Sequence, residues 1–167
     1  YTMGLRGPCM TIDTACSSAL TCTHVAAQSL RNKDCKIALV GGASIITEPD
    51  QSLSFCRLGA QSPEARCKSF DDDANGYIRS EGVCVMVLKR LSDAQKDGDK
   101  ILAIIKGSAV NQDGKSKRFT APSTVAQGLM HTAALKNAQL DPTEIDYIET
   151  HGTGTKVGDP AEVRGIL

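Results

Sequence analysis

PCMTIDTACSSALTCTHVAAQSLRN, residues 8–32, is the stretch from which the fold can be read. Residues 8–13, PCMTID, predict a short strand entering a turn. After Cys16, Ala, Leu and Val recur at helical spacing, and Ser17 or Ser18 can cap the helix. Cys16 sits at the junction, among the small residues Thr14, Ala15, Ser17 and Ser18. A thiol placed just before a helix meets unpaired amides and the positive end of the helix dipole. That favours a thiolate and provides donors for an oxyanion. Strand, nucleophile, helix is the geometry of a nucleophile elbow, whose sharp turn needs small neighbours. The competing reading is a buried cysteine at a strand end, and composition alone favours it.

Outward from this stretch the same grammar repeats. CKIALVGGASI (35–45), GVCVMVLKRL (82–91) and ILAIIKGSAV (101–110) predict strands; the first two read as buried on both faces. Residues 48–76 read as loop, with Pro49, Pro63 and DDDANG. The polar run SDAQKDGDK (92–100) is the best internal boundary, dividing the chain at 1–95 and 96–167. A helix is predicted over 122–139, with Pro122 and Ser123 at its start. DPTEIDYIETHGTGT (141–155) then reads as turn, short helical turn, strand and glycine-rich loop. Strand–helix–strand order on both sides of the boundary predicts an α/β fold.

A nucleophilic cysteine needs a histidine, and there are three. His24 lies on the helix after Cys16 and points away from its tip; His131 is mid-helix. His151 opens HGTGT directly after a predicted strand, at the kind of loop mouth where α/β sheets build sites. His151 is therefore preferred.

Three other motifs fail on spacing. FDDDANGYIRSEG (70–82) offers Asp71, Asp73, Asn75 and Gly76 to a calcium loop. Its twelfth position is Gly82, however, and the glutamate comes one residue early at Glu81, so a solvated acidic turn is the better reading. GSAVNQDGKS (107–116) places Gly107 two residues too far back for a phosphate loop. HGTGTKVG (151–158) has Val157 where a dinucleotide motif needs its third glycine.

The totals exclude further classes. Lys plus Arg and Asp plus Glu are 19 each, so net charge gives no reason to expect nucleic acid or an anionic membrane. KSKR (115–118) is the one dense basic run and reads as a solvated loop. No apolar run approaches the ~20 residues of a transmembrane helix, and no signal-peptide pattern opens the sequence. The seven cysteines include no C-x-x-C, so no metal site is expected. Their odd number fits a cytoplasmic protein with free, buried thiols. A first residue Tyr1 and a last residue Leu167 predict a piece of something longer.

GPCMTIDTACSSAL (7–20) resembles the nucleophile motif of β-ketoacyl synthases, the ketosynthase domains of type I polyketide synthases and animal-type fatty acid synthases. YIETHGTGTKVGDPAE (147–162) resembles the same family's first-histidine motif, and position 151 lies 135 residues after position 16, close to the family's spacing. CKSFDDDANGYIRSEGVCVMVLKRLSDA (67–94) and GSAVNQDGKSKRFTAPS (107–123) also match family stretches, so the resemblance covers essentially the whole chain. Cys9 and Ala19 replace serines often found there, and Arg118 and Phe119 depart from the commoner small residues before TAP. ASIITEPDQSLSFCRLGAQSPE (43–64) leans towards fatty acid synthases and NQDGKSKRFTAPS (111–123) towards polyketide synthases.

The resemblance implies a thiolase-like, layered αβαβα fold, incomplete at both ends. It implies decarboxylative condensation of an acyl chain on Cys16 with a malonyl-type extender on acyl carrier protein. His151 is implied to stabilise the enolate, and Thr153 and Thr155 to hydrogen-bond the phosphopantetheine arm. No covalently bound cofactor is implied. Asp159 and Glu162 are implied to shape the loop behind His151. A second histidine and a lysine are expected beyond Leu167, which makes the isolated piece inactive. Implied partners are the carrier and acyltransferase domains of the same megasynthase, and a second copy, paired through the strand before Cys16. Two alternatives remain: a Cys–His acyltransferase or hydrolase, and a non-catalytic ketosynthase-like scaffold.

Overall fold

The computed structural model describes residues 1–116 and 121–167. The expectation for Arg118 and Phe119 lies outside the described residues. The chain forms two compact units, Tyr1–Ser44 with Gly82–Ile105, and Ile45–Glu81 with Lys106–Leu167.

The first unit holds helix α1 (Ser18–Arg31), strand β1 (Ile37–Ser44), strand β2 (Gly82–Lys89) and helix α3 (Leu91–Asp97), with α2 (Pro49–Arg57) belonging to the second unit. β1 and β2 pair antiparallel from Ile37↔Lys89 to Ser44↔Gly82. α1 lies on this ribbon, burying Ala27 and Leu30, and Val40 is the buried strand residue. Arg90 fastens the end of α1. Its guanidinium donates to the carbonyls of Leu30 and Cys35, both at 2.8 Å, and pairs with Asp93 at 2.6 Å. Lys89 bridges Asp97 and Asp99, which raise its pKa by hydrogen bonding to its ammonium.

The second unit holds α2, α4 (Thr124–Ala138), a 3-10 turn at Pro142–Glu144 and α5 (Gly158–Ile166). α4 begins where Pro122 and Ser123 predict. The Ser123 hydroxyl accepts the Ala126 N–H at 3.2 Å, and Gln139 closes the helix at φ +57°. The 3-10 turn carries a capping box between Asp141 and Glu144, matching the short helical turn read from the sequence.

Several expectations change. Residues 8–13, 101–110 and 146–150 carry no assigned strand, because a strand needs a ladder partner and none pairs with them among the described residues. β1 and β2 are not buried on both faces: Val83, Val85 and Val87 are exposed, since α1 covers one side of a two-stranded ribbon. None of the seven free thiols is buried: Cys9, Cys16, Cys56, Cys67 and Cys84 are exposed, and Cys22 and Cys35 are half-buried. α2 and α3 stand where the sequence reads as loop and polar boundary, and α5 follows the glycine-rich loop, over residues for which the sequence predicts no element.

Candidate active site

Cys16 lies in the first unit, exposed, two residues before α1. Ala15 turns the chain into the helix in the left-handed region, at φ +56°. For an L-residue that conformation costs about 1–2 kcal/mol, so local bonds must hold it. They do: the Ala15 N–H donates to Asp13 Oδ1 at 2.9 Å, and Ser18 Oγ donates to the Ala15 carbonyl at 2.6 Å. Ser17 occupies the N-cap position, but no side chain caps the helix; Ser17 Oγ instead turns back to Thr14. The hydroxyls therefore tie down the turn, and α1 begins two residues after Cys16 without a side-chain cap.

His151, Thr153 and Thr155 lie in the second unit, on the loop entering α5. Two carboxylates from the start of α5 fix this loop. Glu162 accepts the His151 N–H at 2.5 Å through Oε1 and the Gly152 N–H at 2.9 Å through Oε2. Asp159, 3% exposed, accepts the Gly154 N–H at 3.0 Å and the Phe70 N–H at 2.7 Å. Gly152 and Gly154 sit at φ +52° and +67°, conformations glycine takes without a side-chain penalty. Ser69 Oγ donates to the Gly152 carbonyl. Thr153 Oγ1 and Thr155 Oγ1 are 3.0 Å apart, and Thr155 Oγ1 also accepts the Gly158 N–H. The shaping role expected of Asp159 and Glu162 is thus borne out in their hydrogen bonds.

The acidic turn Asp71–Gly76 has a structural role that sequence reading missed. The Gly76 N–H donates to the Gly154 carbonyl at 2.8 Å, and Ala74 and Gly76 are buried. Asp71 Oδ1 accepts the Asp73 N–H. Asn75 accepts from Ser62 Oγ and donates to Glu64. Lys68 and then Asn75, hydrogen-bonded to Glu64, hold its carboxyl below the usual carboxylate range. The three aspartates of the turn are exposed, as a solvated acidic turn requires, while its Ala74–Gly76 end is a buttress for the histidine loop. Its one local clue is the glycine: at φ +125° a Cβ on Gly76 would stand 2.6 Å from the Ala60 carbonyl oxygen and the Gln61 carbonyl carbon. Gly76→Ala is expected to destabilise this unit by about 2 kcal/mol or more. Amide exchange at Ser62 and Tyr77, which bond across this contact, checks it; unchanged protection would contradict the role assigned to the turn.

His151, Thr153, Thr155 and Glu162 line one cleft of about 630 Å³, walled on its apolar side by Phe55, Leu58, Tyr77 and Pro122. The Phe55 and Tyr77 rings meet edge to face at 6.2 Å, and the Arg79 guanidinium stands over Phe55 at 5.5 Å. The lining thus combines an imidazole and two hydroxyls with apolar side chains. Cys16 belongs to the other unit. Of the remaining histidines, His24 is on α1 and His131 on α4.

Solved structures share this architecture. A ketosynthase from module 6 of the bacillaene synthase of Bacillus subtilis matches 93% of the chain at 48% identity and a TM-score of 0.90. An oxazolomycin ketosynthase domain of Streptomyces albus matches 96% at 41% identity and a TM-score of 0.93. The chain spans 28% of each of those chains. Its fold is thus the thiolase-like α/β fold of ketosynthase domains. The N-terminal domain model of β-ketoacyl synthases matches residues 1–94 and the C-terminal domain model residues 102–167. The chain belongs to the β-ketoacyl synthase family. Curated relatives include phenolphthiocerol/phthiocerol polyketide synthase subunits A and C of Mycobacterium tuberculosis, 50% and 52% identical over 99% of the chain. The chain spans 9% and 8% of their lengths.

Proposed function

We propose that the chain carries the nucleophile and one histidine of a polyketide-forming β-ketoacyl synthase, which condenses a Cys16-bound acyl chain with a malonyl-type extender. One observation carries this: both family models match in order, the first over the elbow at Cys16 and the second over the clamped loop at His151. The relatives' names favour polyketide over fatty acid formation. Residues 1–95 and 96–167 are read as parts of the N- and C-terminal halves of the synthase.

The chemistry follows from the residues. The Cys16 thiolate attacks the carbonyl carbon of an acyl thioester held by a carrier protein. The oxyanion that forms accepts the Cys16 N–H, and the carrier thiol leaves. The hydroxyls of Thr153 and Thr155 hydrogen-bond the phosphopantetheine arm of the incoming malonyl carrier protein. The bond to its carboxylate breaks, carbon dioxide departs, and His151 hydrogen-bonds the enolate oxygen, together with the second histidine expected beyond Leu167. The carbanion then attacks the Cys16 thioester and the thiolate leaves. Carrier and acyltransferase domains of the same synthase are the partners, a homodimer is the assembly and the cytoplasm the compartment; no helix among the described residues is long and apolar enough to cross a membrane.

The reading separates two steps experimentally. In the full-length protein, His151→Ala is expected to spare acyl loading and slow carbon dioxide release from malonyl carrier protein by about 10²–10³-fold, the scale of losing one oxyanion donor. Normal carbon dioxide release would remove the role assigned to His151.

A further inference from the structure

The left-handed Ala15 that precedes Cys16 is bracketed by one side chain. Ser18, the first residue of α1, accepts the Thr14 N–H on its Oγ at 2.9 Å and donates from the same oxygen to the Ala15 carbonyl at 2.6 Å. Its own N–H also donates to that carbonyl, at 3.0 Å. The hydroxyl therefore grips the backbone on both sides of the strained residue. Its neighbour does not: Ser17 Oγ reaches only the Thr14 carbonyl and the Thr14 hydroxyl, each at 2.9 Å. Asp13 takes only the Ala15 N–H and is exposed, whereas Ser18 is half-buried. An N-cap serine ordinarily spends its oxygen on a helix amide. Here the N-cap Ser17 bonds Thr14 instead and α1 has no side-chain cap, so both serine hydroxyls serve the turn.

We propose that Ser18 is a positioning residue that holds the left-handed elbow at Ala15 and so presents Cys16 at the uncapped start of α1. The proposal rests on reading Cys16 as the nucleophile, but it can be tested without acyl transfer. Iodoacetamide reports thiol presentation directly: the Cys16 sulfur forms a bond to the methylene carbon as iodide leaves. The alkylated Cys16 peptide is then followed by mass in the full-length protein.

Ser18→Ala is expected to slow Cys16 alkylation about tenfold, which corresponds to ~1.4 kcal/mol. In an Ala15→Gly background the left-handed conformation needs no holder, so adding Ser18→Ala there should change the rate by less than about threefold. An unchanged rate in Ser18→Ala, or an undiminished tenfold loss when it is added to Ala15→Gly, would overturn the role of Ser18. The second comparison stands even where Ser18→Ala alone folds poorly. Should this cycle behave as expected while Cys16 accepts no acyl group, the nucleophile reading fails and the positioning role stands.

Discussion

Cys16→Ala is expected to abolish acyl loading of the full-length protein and to lower condensation more than about 10³-fold, because deleting a nucleophile removes the covalent route entirely. No neighbouring group can replace it. Ser17 and Ser18 are adjacent, but their hydroxyls are committed to Thr14 and Ala15. The substitution removes an exposed sulfur and leaves the bonds of the turn, which involve Asp13, Thr14, Ala15 and Ser18, untouched. Thermal unfolding should therefore change little while loading, measured by intact mass, disappears. Loading that persists in the alanine variant would contradict the assignment of Cys16.

Asp159→Ala should have the largest effect on the histidine loop. Each oxygen of this buried carboxylate accepts one backbone N–H, from Gly154 and from Phe70. Alanine leaves two donors without a partner, at about 1–3 kcal/mol each. Phe70 also stands in the left-handed region at φ +62°, so the loss frees a strained residue as well as the loop. Asp159→Asn is no rescue, because its amide nitrogen would face one of the two N–H donors. The expected result is a loss of about 2–5 kcal/mol in local stability, read as faster amide exchange at Phe70 and Gly154, with condensation falling alongside. Unchanged exchange at both amides would contradict the clamp.

Helix-forming signals within a few residues were legible. α1 follows its Ala, Leu and Val spacing, Ser123 caps α4, and Asp141 and Glu144 box the 3-10 turn. Strands over 8–13 and 101–110 were not secured by their apolar runs, because a run supplies backbone preference but not the partner that makes a ladder. α2 and α5 hid behind residues that usually break helices. Pro49 and Pro160 both fall in a first turn, where the missing N–H costs nothing. α3 hid in the polar run 92–100 and closes at Gly98, φ +71°. In the candidate site, Cys16 and His151 stood out by their position at turns. The buttress could not, since the bond from Gly76 to Gly154 joins residues far apart in sequence and leaves no local pattern.

The central claim is that one cysteine of seven carries the acyl chain. The direct measurement is to incubate the full-length wild-type protein with an acyl carrier protein bearing a labelled acyl thioester, digest it without reductant, and map the label by peptide mass. Label confined to the peptide containing Cys16, and discharged on adding malonyl carrier protein, is the predicted result. Label on another cysteine of the chain, or none at Cys16, would contradict the account.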